Sequence, residues 1–440
     1  MWRTLKTAFG IEDIRKRILY TLFFVVVVRI GCQIPVPGTD PTVIKEMIDS
    51  LNSSGSFNIF NTFTGGSLEN FSILALNISP YITASIIMEL LSIAIPKLEE
   101  LHHEGNEGRK KISEYTRYAT VVLALIQAVA MSIGFGNRGL FVQKNAFFVI
   151  VSIITLTAGS AVLMWIGERI TENGIGNGIS IVLVVNILAG IPEELGVIWT
   201  RFTSNRSIAA TILISIIIIA IILAIVCFVV WLHGATRKIP IQYSGRTAGR
   251  RSAGGTSSHI PMKVLTASVI PVIFASSLMS LPALIAQFTG HSGNYSSFGG
   301  RILMFLTSSY WFSSSVPWYY SLGALVYVVL IFVFSYFYTS ITFNPTEIAD
   351  NLKKQAGFIP GIRPGRPTSD YLKSVLNVIV FIGACGLTIV ALLPMIASGL
   401  FGIGRISFLG TSLIIIVGVI LETLQQIEGR MVSREYDSIF

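Results

Sequence analysis

Three groupings along the chain carry residue types that do chemistry elsewhere. His102, His103 and Glu104 are the side chains that ligate zinc, but adjacent residues on a polar stretch rarely close a coordination shell. Gly174, Gly176 and Gly178 form a glycine-rich run of the kind that cradles phosphates. It lacks the Lys-Ser/Thr of a phosphate loop and the third glycine of a dinucleotide turn. It therefore reads as a tight connection in which glycine supplies positive φ. Cys32, Cys227 and Cys385 stand in or beside apolar runs, at spacings that suit neither a metal nor a disulfide framework. They are expected as small buried hydrophobes. Neither H-E-x-x-H nor G-x-S-x-G occurs. The expectation is a protein that is not an enzyme, with no catalytic residue, no metal and no cofactor.

The elements that would have to position any chemistry are apolar. Of 440 residues, 52% are hydrophobic and 12% charged, about half the charge that soluble domains carry. Residues 207–236, 302–346 and 374–404 contain no Asp, Glu, Lys or Arg, and each run exceeds the ~20 residues needed to cross a bilayer. No cleavable leader is expected, because the apolar stretch from Ile18 is interrupted by Arg29. Apolar runs between polar breaks predict ten spans, at about 18–34, 71–95, 117–136, 146–167, 177–192, 208–232, 264–288, 321–343, 373–396 and 406–424.

Ionisable groups at membrane depth mark proton relays and substrate sites, and away from the ends of these runs, where Arg117, Lys373 and Glu422 stand, only Arg29 and Glu89 fall inside them. Both are expected to snorkel or to pair near an interface. This scarcity disfavours the main alternative, a secondary transporter, and also an intramembrane aspartyl protease. The net charge is +9, and its placement is asymmetric. The termini and even-numbered connections hold 24 Lys and Arg residues against 7 on the other side. Basic connections stay in the cytoplasm, so both termini are expected there.

An internal repeat links two of the spans. Residues 80–90 and 271–281 share Pro80/Pro271, Ile82/Ile273, Ala84/Ala275, Ser85/Ser276, Met88/Met279 and Leu90/Leu281. The copies lie in spans two and seven. An odd separation gives the two halves opposite topology, an inverted repeat around a central pathway. Before span two, Gly55 to Asn70 mixes Phe57, Ile59, Phe60 and Phe63 with Asn, Thr and Gly. That segment is either an interfacial loop or a re-entrant segment lining a protein cavity. The 233–263 connection has six Lys or Arg and no acid, which suits lipid headgroups or a polyanionic partner. The 344–373 connection holds a stiff turn, Ile359 to Gly365, with two prolines and two glycines around Arg363.

With these residues in view, the chain resembles the SecY family over essentially its whole length. The resemblance is carried by Ile34 to Gly38, Ala75 to Leu91, Glu107 to Ser113 with Tyr115 to Tyr118, Gly174 to Ser180, Val269 to Ser277 and Gly357 to Gly365. It implies the central subunit of the bacterial protein-conducting channel. The implied fold is all-α and membrane-integral: ten transmembrane helices in two inverted five-helix halves, 1–200 and 201–440, around a central hourglass pore.

The family's ring of bulky aliphatics would fall on Ile82, Ile86, Leu183, Ile187, Ile273 and Ile415, with leucine at 183 where many members have isoleucine. Its plug would be the segment of about 55–70, including Phe57, Ile59, Phe60, Phe63, Gly65 and Gly66. Spans two and three against seven and eight would form a lateral gate. Arg246, Arg250, Arg251, Arg363 and Arg366 would meet cytoplasmic partners. The implied partners are small SecE- and SecG-type membrane subunits, the SecA motor ATPase, the ribosome, signal peptides, nascent chains and the lipid of a bacterial cytoplasmic membrane.

Overall fold

The computed structural model describes residues 9–40, 43–44, 65–136, 139–141, 145–203, 208–243, 247–248, 251–252, 257–288, 298–306, 311–312, 318–401 and 411–437. Apolar runs with few turn residues become helices. In chain order these are α1 (Glu12–Gly31), α2 (Ser79–Ala94), α3 (Pro96–His103), α4 (Asn106–Gly136), α5 (Ala146–Asn173), α6 (Gly178–Thr203) and α7 (Ile208–Gly234). After them come α8 (Ile270–Phe288), α9 (Phe298–Leu306), α10 (Leu322–Thr342), α11 (Pro345–Lys354), α12 (Arg366–Phe401) and α13 (Leu413–Asp437). Each predicted span overlaps one of these helices. Among the described residues, five stretches are long and apolar enough to cross a membrane: Glu107–Gly136, Ala146–Asn173, Thr211–Gly234, Tyr319–Lys354 and Arg366–Ala397. Gly178–Pro192 and Ile270–Met279 are apolar but shorter. α7 shows the membrane character most plainly, exposing Ile212, Leu213, Ile216 and Ile219 on its surface.

Two expectations change. Spans two and seven, expected from residues 71 and 264, become helical only at Ser79 and Ile270, because the apolar residues before them form turns. The basic 233–263 connection is not an open loop. It folds into β1 (Thr236–Tyr243), β2 (Thr247–Ala248), β3 (Arg251–Ser252) and β4 (Ser257–Lys263), and β5 (Gly357–Phe358) comes from the next connection. β1 is central, antiparallel to β4 from Thr236↔Lys263 to Gln242↔Ser257 and to β5 at Gln242↔Phe358. A hairpin alone is marginal in water. This one is held because Ile239, Ile241 and Met262 are buried, with Ile239 and Met262 in one cluster with Leu372, Val375 and Ile379 of α12.

The chain forms two compact units, one of Met1–Ser215, Ser277–Gly323 and Pro394–Phe440, the other of Ile216–Ser276 and Ala324–Leu393. In the first, α5 packs on α4, α1 and α6, and α2 packs on α4. The glycine run at 174–178 ties both ends of the chain to this unit. Gly176 adopts φ +80° and its N–H donates to the Gln426 side chain, while the Ile175 N–H donates to Thr21 Oγ1. Ile175 is buried with Ile14 of α1 and Ile427 of α13.

Helix α5 also approaches the turn before α2 closely. A Cβ on Gly159 would lie 2.0 Å from the Ile73 carbonyl oxygen, and that backbone cannot swing away as a side chain does. Gly159→Leu is therefore expected to destabilise the protein by about 1–3 kcal/mol through overpacking. The check is a lower thermal midpoint for the purified protein in detergent.

Candidate functional site

The internal repeat persists in the backbone. Asn77 and Ser268 both adopt φ +52°, each two residues before its helix begins. The Asn77 N–H donates to the Leu74 carbonyl at 2.9 Å, and the Ser268 N–H to the Leu265 carbonyl at 3.1 Å. Pro80 and Pro271 follow in the first turns of α2 and α8, where proline lacks only a hydrogen bond that the helix start would not make. One turn further, the Ile82 N–H donates to Ile78 O at 3.0 Å and the Ile273 N–H to Val269 O at 3.3 Å. The same left-handed step thus launches the two helices that carry the expected ring positions Ile82, Ile86 and Ile273.

Those positions divide between the units. Ile82, Ile86, Leu183, Ile187 and Ile415 belong to the first unit and Ile273 to the second. Ile82 is half-buried against a cluster that includes Val28, Leu163 and Val182. Ile86, Leu183, Ile187 and Ile415 are buried, and Ile273 is half-buried. On α2 and α6 the pairs 82/86 and 183/187 are spaced i, i+4, which sets each pair on one helical face. Helix α13, with Ile415, packs on α6.

Beside Ile187 lies a polar network that the count of ionisable groups missed. Asn186 is fully buried. Its Nδ2 donates to Asn77 Oδ1 at 3.0 Å, and that oxygen also accepts the Ile78 N–H at 2.8 Å. The Cys32 thiol donates to Asn186 Oδ1 at 3.9 Å, and the Ser160 hydroxyl donates to the Asn77 carbonyl at 3.3 Å. Buried polar groups are costly unless so satisfied. The network joins the end of α1, the turn before α2, α5 and α6.

Gly65 sits on this network. Its φ is +60°, and a Cβ there would lie 2.4 Å from the Asn186 carbonyl oxygen. Only glycine satisfies both the left-handed backbone and the approach. Arg29, expected to snorkel or pair, donates from Nη1 to the Gly65 carbonyl at 3.2 Å. Leu68 and Phe71 are buried with Leu156 behind it. The end of the expected plug is therefore seated against the helix that bears Leu183 and Ile187. Gly66, at φ +79°, has no described atom within 4 Å of where a Cβ would stand. Phe57, Ile59, Phe60 and Phe63 lie outside the described residues. Glu89 is half-buried on α2, and its Oε2 has no hydrogen-bond partner among the described residues.

The basic candidates sit in the second unit. Arg363 is exposed on a turn shaped by Gly361 at φ +84° and Gly365 at φ +98°, and its carbonyl accepts the Thr368 hydroxyl at 2.8 Å. Arg366 opens α12 and is exposed. Arg251 lies in β3, while Arg246 and Arg250 fall outside the described residues. The turn follows β5 directly, so it is tied to the sheet on which Arg237 and Lys238 are exposed. Among the described residues no group of three His, Cys, Asp or Glu is placed to hold a metal ion.

The family model described as SecY matches residues 72–424. Protein translocase subunit SecY of Halalkalibacterium halodurans is 42% identical over 442 residues, covering 99% of each chain. Its namesakes in Streptomyces scabiei and Bacillus subtilis are 43% and 40% identical, over 98% and 99% of this chain and 98% and 99% of theirs. Among solved structures, a protein-conducting channel superposes with a TM-score of 0.63 at 20% identity, over 96% of this chain and 93% of its own. Sec61 in the canine ribosome–channel complex superposes with a TM-score of 0.61 at 19% identity, over the same shares. Matches of this extent reach well past single motifs, and the chain belongs to the SecY family.

Proposed function

We infer that this chain is the pore-forming, multi-pass subunit of a protein-conducting channel, which passes unfolded polypeptides across a membrane and releases apolar segments sideways into lipid. The observation that carries the reading is the seat of Gly65 on Asn186, beside Ile187, in a member of this family. A ring of aliphatics makes a dry constriction that excludes ions when empty. It makes no hydrogen-bond demand on what passes, so side chains of any kind can cross. A segment held beneath it by a few hydrogen bonds is displaced at modest cost. Ten helices in two inverted halves around an hourglass pore fit this role, and the shared turn before α2 and α8 supports the inversion.

The charge asymmetry supports cytoplasmic termini in a bacterial cytoplasmic membrane. On this reading SecE- and SecG-type subunits complete the channel, and SecA or a ribosome drives signal peptides and nascent chains through it. The ribosome-bound Sec61 neighbour supports the latter. A secondary transporter finds no support in the family.

Two measurements test the proposal. Proteoliposomes holding the chain with its small subunits should import an unfolded secretory polypeptide when the motor and ATP are supplied, and liposomes lacking the chain should not. Arg363→Glu should weaken motor or ribosome binding about tenfold at low salt and less at high salt, as expected for an exposed charge at an interface. Equal binding at both ionic strengths would remove the turn from the docking face.

A further inference from the structure

A second site shares no residue with the expected ring, in a cavity of about 580 Å³ wholly within the second unit. Clefts of about 300–1,000 Å³ hold small organic ligands. Three helices line it, each with one face at i, i+3, i+4 spacing. α10 contributes Tyr336, Thr339, Ser340 and Phe343, and α11 contributes Thr346, Ala349 and Asp350. α12 contributes Arg366, Asp370 and Lys373 in its first turns, then Leu376 and Val380 deeper along the same face. From Arg366 to Val380 the helix rises roughly 21 Å.

The lining is graded. The end near the start of α12 carries two cations, Arg366 and Lys373, and two carboxylates, Asp350 and Asp370. None of the four forms an ion pair with another charged side chain among the described residues, although all line one cavity. The far end is lined by the buried Leu376 and Val380 and by Tyr336, whose hydroxyl donates to the Asn377 carbonyl. This gradient runs along Tyr319–Lys354 and Arg366–Ala397, two of the stretches apolar enough to cross a membrane. The charged end is therefore at the depth where headgroups lie, with the apolar end toward the acyl chains.

A ligand that answers all of these features carries an anion, a hydrogen-bonding cation and an apolar chain in that order. We propose that the cavity binds one glycerophospholipid with a phosphate–ethanolamine headgroup. Arg366 and Lys373 take its phosphate, Asp350 and Asp370 accept from its primary ammonium, and its chain runs along Leu376 and Val380. Anionic lipid alone would leave both carboxylates facing a like charge. A quaternary ammonium would offer them no N–H. The proposal goes beyond the channel reading and requires only that α10 and α12 cross the membrane.

The test uses the channel purified with its natural subunits, stripped of lipid in detergent, and titrated with phosphatidylethanolamine, phosphatidylcholine or phosphatidylglycerol under native mass spectrometry. Phosphatidylethanolamine should be retained with about tenfold higher affinity than either, that is about 1.4 kcal/mol. Lys373→Gln and Asp370→Asn, both at exposed positions, should each erase most of that preference. Ser340→Trp should block binding by filling the cavity without touching a charge. Thermal midpoints equal to wild type establish that each variant is folded. Equal retention of the three lipids by the wild type, or unchanged preference in folded variants, overturns the proposal.

Discussion

Membranes containing the channel with Ile82, Ile86 and Ile273 all replaced by asparagine are expected to leak ions at rest, where the unaltered channel holds its seal. On the proposed reading these residues line a constriction that keeps water out, and an aliphatic lining makes wetting costly. Three amides give a water file hydrogen-bonding partners in the narrowest place. If they lower the barrier to wetting by as little as about 1.4 kcal/mol, ion passage rises roughly tenfold. Ile82 and Ile273 are only half-buried, and Ile86 lies one helical turn beyond Ile82. Substitution there disturbs packing less than at Ile187, which is fully buried. The matching valine replacements keep the lining apolar and should stay tight. Single-channel conductance or dye efflux from proteoliposomes reads the difference. Asparagine variants as tight as the valine set would remove these residues from the ring.

How much of this was legible in the residues differs from part to part. The helices were, because aliphatic runs without charge leave the backbone few alternatives in lipid. Their starts were less so. Residues 71–78 and 264–269 are as apolar as the helices they precede, so hydropathy extends the spans through them. What stops the helix is the left-handed backbone at Asn77 and Ser268, which composition does not reveal. The small sheet was hidden for a different reason. Its inward residues, Ile239, Ile241 and Met262, alternate with prolines and cations, and the charge of that connection drew the reading toward lipid headgroups or a polyanionic partner and away from a fold.

Within the site, the repeat matched Ile82 with Ile273 but gave them no role. All six ring positions, 82, 86, 183, 187, 273 and 415, came from the family resemblance. The seat of Gly65 was not visible at all. Asn77 and Asn186 are single uncharged polar residues in apolar surroundings, and an inventory restricted to ionisable groups passes over them. A buried asparagine amid aliphatics was the available signal, since such a group must find partners or incur a desolvation cost.

That seat makes the second large effect predictable. Gly65→Val should unseal the channel more strongly than any change at the neighbouring Gly66, although both glycines have positive φ. At Gly65 a side chain meets the Asn186 backbone at 2.4 Å, whereas at Gly66 it meets none of the described residues. A left-handed non-glycine residue costs about 1–2 kcal/mol, and overlap with backbone adds about 1–3 kcal/mol more. The segment can escape both by leaving α6, which also breaks the Arg29 hydrogen bond to the Gly65 carbonyl. A shift of about 3 kcal/mol changes the seated fraction by roughly a hundredfold. Gly66→Val carries only the backbone cost and serves as the comparison. Asn186→Leu should act in the same direction but less, since it removes the hydrogen bond to Asn77 while the Ile78 N–H still satisfies that side chain, a loss of about 1 kcal/mol. Resting conductance and thermal midpoint, measured together on the three variants, separate two accounts of the seat. If it holds the seal, leak rises modestly in Asn186→Leu and Gly66→Val, each about 1–2 kcal/mol, and most in Gly65→Val. If it only stabilises the fold, the midpoint falls in the same pattern while the membrane stays tight.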